Sequence, residues 1–258
     1  MFIARPDAEL HVQAFGQGPA SLLAIGGWVG PGALWLDMFG HLPHRRCVAL
    51  DHRGSGHSQT LNGPITLQAM ADDLVAVADA LDLRDCLLAA ESSGVGVALM
   101  AARQAPARFA GLVLCGGAWQ RAEPDAIDAQ VRALQSDHDG FLRRFVAACL
   151  PESPGPSLRH WGLQLLRKAP LQRAIQLMQT RLHLDLVDAL PHIDLPTLVL
   201  HGQADAIVPP DASWLLAERL PKARLQLLAG LGHVPMATAP AEVARWIDQA
   251  FPAAVPDR

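Results

Sequence analysis

Residues 87–97 read Leu-Leu-Ala-Ala-Glu-Ser-Ser-Gly-Val-Gly-Val, and no other stretch constrains the fold as tightly. An apolar run of strand character ends at Ala90, and a small-residue helical pattern opens at Gly94. Small-x-Ser-x-Gly between a strand and a helix has the form of a nucleophile elbow, with Ala90 where glycine is usual. A turn this sharp brings together the positions two before and two after the serine, so both must be small. A serine there is lifted clear of the sheet, and the backbone N–H groups opening the next helix are placed to hold an oxyanion. Ser93 competes for the role, but its flanks would be Glu91 and Val95, both bulky. Ser92 is the expected nucleophile.

An activated serine needs a base, and the base needs an orienting acid. Leu198-Val199-Leu200 is a short apolar strand, and Asp205 sits in the loop that follows it. Leu225-Gln226-Leu227-Leu228 reads as another strand, followed by Gly230-Leu231-Gly232-His233. His233 thus lies in a glycine-flanked loop before a C-terminal helix. The chain has 11 histidines, and His233 stands out by its loop and its position. Ser92, Asp205 and His233 form the expected triad, in the order Ser, Asp, His.

Strands are expected at 9–15, 21–25, 47–50, 85–90, 112–115, 197–201 and 224–228. Most are apolar without alternation, as when both faces of a parallel sheet are covered. Helices intervene. The clearest is 66–81, where Leu67, Met70, Leu74, Val77 and Leu81 recur at helical spacing behind Thr66 as N-cap. Further helices are expected at 211–220 and 240–251. Alternating strands and helices give a doubly wound α/β sheet. The alternation stops between about Trp119 and Pro191, where four helices are read at 124–137, 139–149, 157–168 and 170–183, with a loop at 151–156. The expected division is a core of 1–118 and 192–258 with an all-helical cap at 119–191.

Two upstream segments add to this. Leu22-Leu23-Ala24-Ile25 leads into Gly26-Gly27-Trp28, and Asp51-His52-Arg53-Gly54-Ser55-Gly56-His57-Ser58 follows an apolar run. With His201-Gly202-x-x-Asp205-x-x-Val208-Pro209 and Gly230-x-Gly232-His233, the chain resembles the α/β-hydrolase superfamily over nearly its whole length. Among its members it is most similar to small capped carboxylesterases, 3-oxoadipate enol-lactonases and pimeloyl-carrier-protein methyl ester esterases. The resemblance implies an α/β-hydrolase fold and an oxyanion hole made by the N–H groups of Trp28 and Ser93. It departs from the usual pattern at Gly26, where relatives often have His, and at Glu91, where many have His. On a strand, the Glu91 side chain is expected to point away from the Ser92 hydroxyl, as a hydrogen-bonded structural carboxyl near the base of the site. Asp51 and Arg53 are expected to hold their loop. In the cap, Trp119, His160 and Trp161 are candidate substrate contacts.

Composition narrows the function classes. Half of the 258 residues are hydrophobic and the net charge is −4, with no basic run to suit a nucleic acid. The four cysteines are scattered, without a CxxC or Cys/His cluster, which predicts neither a metal site nor a disulfide framework. No stretch approaches the roughly 20 apolar residues of a membrane span, and the first residues lack a signal-peptide pattern. The expectation is a cytoplasmic enzyme, monomeric or homodimeric, needing no cofactor and cleaving an ester or lactone of a small molecule. Two alternatives share the same triad: a C–C bond hydrolase of dienone acids, and a ligand-binding protein of very low turnover.

Overall fold

The computed structural model describes residues 1–60, 65–152 and 155–253. Among these residues nine strands build one sheet: β1 (Phe2–Arg5), β2 (Ala8–Phe15), β3 (Ser21–Ile25), β4 (Arg46–Leu50), β5 (Gln59–Thr60), β6 (Cys86–Glu91), β7 (Phe109–Cys115), β8 (Thr197–Gly202) and β9 (Ala223–Leu228). Their order is β1-β2-β4-β3-β6-β7-β8-β9, with β5 paired to β2. From β4 to β9 every pairing is parallel, while β2 runs antiparallel to β1, β4 and β5. Every residue of β3, β6 and β8 is buried, which is why these strands carry no polar alternation.

Among the described residues ten α-helices accompany the sheet: α1 (Leu36–Phe39), α2 (Leu67–Ala80), α3 (Gly94–Gln104), α4 (Pro124–Ser136), α5 (His138–Cys149), α6 (Pro156–Leu166), α7 (Leu171–Thr180), α8 (Asp211–Arg219), α9 (Pro235–Thr238) and α10 (Pro240–Ala250). Local chemistry sets several starts. The Thr66 hydroxyl accepts the Ala69 N–H at 3.1 Å, and the Asp137 carboxylate accepts that of Gly140 at 2.9 Å. Proline opens α4, α6, α9 and α10, where its missing N–H costs nothing.

The helices α4 to α7 all fall between β7 and β8, and no strand lies among the described residues of that interval. Of the expected loop at 151–156, Ser153 and Pro154 fall outside the described residues. Four elements escaped the sequence reading because they are short: β1, β5, α1 and α9. The Asp51 and Arg53 side chains do bind their surroundings. Asp51 Oδ1 accepts the Gly32 N–H and Oδ2 that of His57, both at 2.9 Å. Arg53 is clamped between Asp73 and Asp7. All four cysteines are buried and unpaired, and burial pushes the Cys47 and Cys86 thiols up to about 12. No helix among the described residues is long and apolar enough to cross a membrane.

Candidate active site

Strand register assembles the site at the carboxyl ends of the parallel strands, where open α/β sheets place their ligands. Ile25 pairs with Ala90, which lays the Gly26–Trp28 loop beside Glu91–Ser93. Glu91 pairs with Cys115, and Cys115 with Leu200, which draws in the loop carrying Asp205. The elbow itself is held by backbone. The Ser92 N–H donates to Cys115 O at 2.9 Å, and Ser92 O accepts from Ala118 at 3.0 Å and from Val95 at 3.1 Å. Ser92 has φ 53°, a left-handed conformation that costs a non-glycine residue on the order of 1 kcal/mol and persists only where its surroundings dictate it.

Close approach, not the turn alone, demands the small residues. A Cβ on Gly94 would stand 2.6 Å from the carbonyl oxygen of Gly26, so it is the Gly26–Trp28 loop, and not Ala90, that requires glycine there. A Cβ on Gly27 would stand 2.5 Å from Ser92 Cβ. The departure from His-Gly to Gly26-Gly27 therefore keeps the glycine that presses against the serine.

Asp205 and His233 meet from separate loops. His233 Nδ1 lies 2.7 Å from Asp205 Oδ2, with both side chains fully buried. The N–H groups of Ile207 and Val208 donate to the other Asp205 oxygen at 2.8 and 3.0 Å. His201 Nε2 stands 3.2 Å from Oδ2 and its Nδ1 2.6 Å from Ser213 Oγ. Burial would raise the Asp205 pKa, but its hydrogen bonds with His201 and His233 and the nearby imidazole charge prevail and hold it well below the usual carboxylate range. His201 was not foreseen as a support of this acid; its only sequence signal is its place at the end of the β8 run.

Glu91 requires a correction. It is hydrogen-bonded, with Oε2 accepting the Gly27 N–H at 2.7 Å, but it does not turn away from Ser92 and His233. It lines the same cavity as Ser92 and His233, and its Oε1 lies 3.1 Å from His233 Nε2. That nitrogen makes no hydrogen bond of normal geometry among the described residues, so Glu91 meets it as a close charge. The His233 imidazole thus stands between two carboxylates, one on each nitrogen. Burial opposes its charging, but hydrogen bonding and attraction from Asp205 and Glu91 outweigh burial and push its pKa up to about 9.

The Trp28 N–H, one of the two expected oxyanion donors, donates instead to Ser93 Oγ at 2.6 Å. Trp28 has φ 25°, and its indole N–H donates to Ala174 O of α7 at 2.9 Å. Its ring meets those of Phe145 and Phe141 edge-on, with centroids 5.0 and 5.8 Å away.

Of the three expected substrate contacts, Trp161 alone lines a cavity with Ser92. Trp119 does not: it is buried in the core and its indole N–H donates to Ala212 O at 2.8 Å, because the chain turns it toward α8. His160, on the opposite face of α6, lines a separate cavity with Arg143 and Arg159. Two cavities share Ser92, Trp28 and Phe145. One, of about 60 Å³, also touches Glu91, His233 and apolar residues of α5 and α6. The other, of about 370 Å³, reaches Ser93, Gln130, Arg144, Arg181 and Val208. Sequence reasoning passed over Arg181 because nothing in its neighbourhood marks it.

Elsewhere, His11, Asp51 and His57 bring three ligand-type atoms within 4.8 Å of one another. Both Asp51 oxygens already accept backbone N–H groups, and Lys168 Nζ stands 3.4 Å from His57 Nε2. The cluster reads as loop support.

A serine on a strand–helix elbow, beside a buried His–Asp pair at the carboxyl ends of a mostly parallel sheet, defines a hydrolase-type α/β protein. The sequence matches the alpha/beta hydrolase fold family over residues 20–240, and the chain belongs to that family. It is 30% identical over 252 residues to a pimeloyl-[acyl-carrier protein] methyl ester esterase of Vibrio campbellii, covering 90% of this chain and 94% of that one. It is 32% identical over 238 residues to a putative carbamate hydrolase, RutD, of Caulobacter sp., covering 86% and 88%. Among solved structures, a thermophilic esterase from Thermogutta terrifontis superposes with a TM-score of 0.86 at 28% identity, covering 96% of this chain and 95% of that one.

Proposed function

We propose that this protein is a serine hydrolase cleaving carboxylic esters or lactones of small to medium acyl compounds, with Ser92 as nucleophile, His233 as base and Asp205 as orienting acid. The observation that carries the reading is Ser92 at φ 53°, sharing a cavity with a His233 whose Nδ1 lies 2.7 Å from buried Asp205. Its relatives include esterases by name, which supports ester hydrolysis in general.

In this reading neutral His233 takes the proton from Ser92 Oγ as that oxygen attacks the carbonyl carbon. The carbonyl electron pair moves onto oxygen, where the N–H groups of Ser93 and Trp28 receive it; loss of one such donor typically costs roughly 10²–10³ in rate. For Trp28 to serve, Ser93 Oγ must rotate off its N–H. The intermediate collapses, the C–O bond breaks, and the alkoxide leaves with the proton held on His233 Nε2. Water then repeats the sequence on the acyl-enzyme. Nε2 must exchange Glu91 for the serine hydroxyl before the first transfer, and the imidazole must be neutral. Asp205 fixes the tautomer throughout. Residues 119–191 act as a lid, excluding water and shaping the acyl pocket.

Intact mass after incubation with a fluorophosphonate probe tests this directly. One adduct on the wild type, absent from Ser92→Ala, is the expected result, followed by turnover on a panel of simple esters and lactones. A folded wild type that gains no adduct would overturn the reading.

A further inference from the structure

The two cavities that meet at Ser92 differ in chemistry. In an ester cleavage the departing alkoxide must lie beside the imidazole that protonates it. The cavity lined by His233 therefore takes the alcohol, and its volume of about 60 Å³ suits a short one. The acyl chain is left the cavity of about 370 Å³ that His233 does not line.

Among the described residues, two arginines and no carboxylate line that second cavity. Arg144 is largely exposed and has Asp137 within 3.5 Å. Arg181 differs. It follows the last turn of α7, and its carbonyl accepts the Ala122 N–H at 3.1 Å, which ties its backbone to the chain leading into α4. Its Nε is buried without a hydrogen-bond partner, and among the described residues no acidic side chain pairs with it. Burial draws its pKa down, with no neighbouring charge to offset the fall. Arg181 is half-buried, and a charge drawn even partly out of water and left unpaired is costly. Arg181 lines the compartment that contains the nucleophile. A planar guanidinium in that position fits the two oxygens of a carboxylate.

We propose that the acyl half of the substrate carries a distal carboxylate that seats against Arg181, so that this residue selects acidic half-esters of short alcohols over neutral esters. The proposal rests on the serine-hydrolase reading and names the substrate class of that same site.

The experiment compares kcat/KM for the monomethyl and dimethyl esters of one straight-chain dicarboxylic acid, across glutaric to suberic acids, in wild type, Arg181→Gln and Arg181→Lys. Loss of one hydrogen-bonded partner of a charged group is worth about 10- to 100-fold. The wild type is expected to favour the half-ester. Arg181→Gln should lose about 10- to 100-fold more on the half-ester than on the diester, and Arg181→Lys should recover part of the difference. Without any variant, the free dicarboxylate should slow fluorophosphonate labelling of the wild type, and the corresponding diamide should not. A wild type that prefers the diester, equal losses on both substrates in Arg181→Gln, or labelling indifferent to the dicarboxylate would overturn the assignment. Labelling of Ser92 in the same samples separates the two levels. An adduct without acid preference removes Arg181 alone, whereas no adduct removes the hydrolase reading beneath it.

Discussion

On the sheet side of Ser92, nearly every polar group is bound to backbone or to an opposite charge. Asp205 receives two N–H groups and the His233 imidazole, Glu91 receives the Gly27 N–H, and Ser92 itself is pinned by Cys115 and Ala118. On the helix side, the contacts are rings and aliphatic chains, with Trp28 wedged against Phe141 and Phe145 and one guanidinium, Arg181, lacking a partner among the described residues. Directional bonds hold atoms to within tenths of an ångström, as bond-making chemistry needs. Apolar packing is non-directional and tolerates exchange of similar volumes. On the proposed reading, the floor fixes the reaction and the roof chooses what enters it.

That contrast can be broken by experiment, the largest effects being expected in the floor. Ser92→Ala should lower turnover by roughly 10⁴-fold or more, and Asp205→Asn by about 10⁴-fold, with substrate affinity little changed, measured as kcat and KM on a simple ester. An Asp205→Asn variant within tenfold of wild type would detach this carboxylate from the chemistry.

Gly27→Ala should come next. Its Cβ would meet Ser92 Cβ at 2.5 Å and Glu91 O at 2.9 Å, so the elbow must shift. A misplacement of about 1 Å costs on the order of 10²-fold, to be read as the second-order rate of fluorophosphonate labelling in a protein that still melts cooperatively.

Glu91→Gln sharpens the comparison by its pH profile. His233 is held up to about 9, from an ordinary 6.5, by Asp205 and Glu91 against the opposing effect of burial. The base form is neutral, so wild-type kcat/KM should climb from pH 7 towards 9. Removing one carboxylate lowers the folded-state value, so the rise should move to lower pH in Glu91→Gln. The sign for stability is opposite. The raised value adds stability that is fully present below about 6.5 and is lost as pH rises through about 9, so Glu91→Gln should cost most in the acid arm of a Tm-against-pH series. Superimposable activity profiles would leave Glu91 as loop support.

The smallest effect belongs to the roof. Phe145→Ala removes a ring packed on Trp28 and should cost roughly 1–2 kcal/mol, about 2–8 °C in Tm for a chain of this size. It should alter KM across an acyl-chain series more than kcat. A kcat loss as large as that of Gly27→Ala would show that floor and roof are not separable.

Much of the framework was legible in the primary structure. The all-apolar strands, the order of Ser92, Asp205 and His233, and the helical stretch between β7 and β8 are local matters. Pleat, turn and helical period decide them within a few residues, and small residues at 90 and 94 mark the turn. Even there, one reason was hidden: Gly94 is required by the carbonyl of Gly26, a neighbour brought in by the β3–β6 register. The tertiary structure alone decided which groups face which. It set Glu91 against His233 Nε2, gave the Trp28 N–H to Ser93 Oγ, brought His201 to Asp205, turned Trp119 away to Ala212, and opened Arg181 onto the cavity beside the serine. Each of these turns on a side-chain direction or on contact between segments far apart in the chain. Such contacts come from how helices and loops settle on the sheet, a property of the packed whole that no single stretch of sequence encodes.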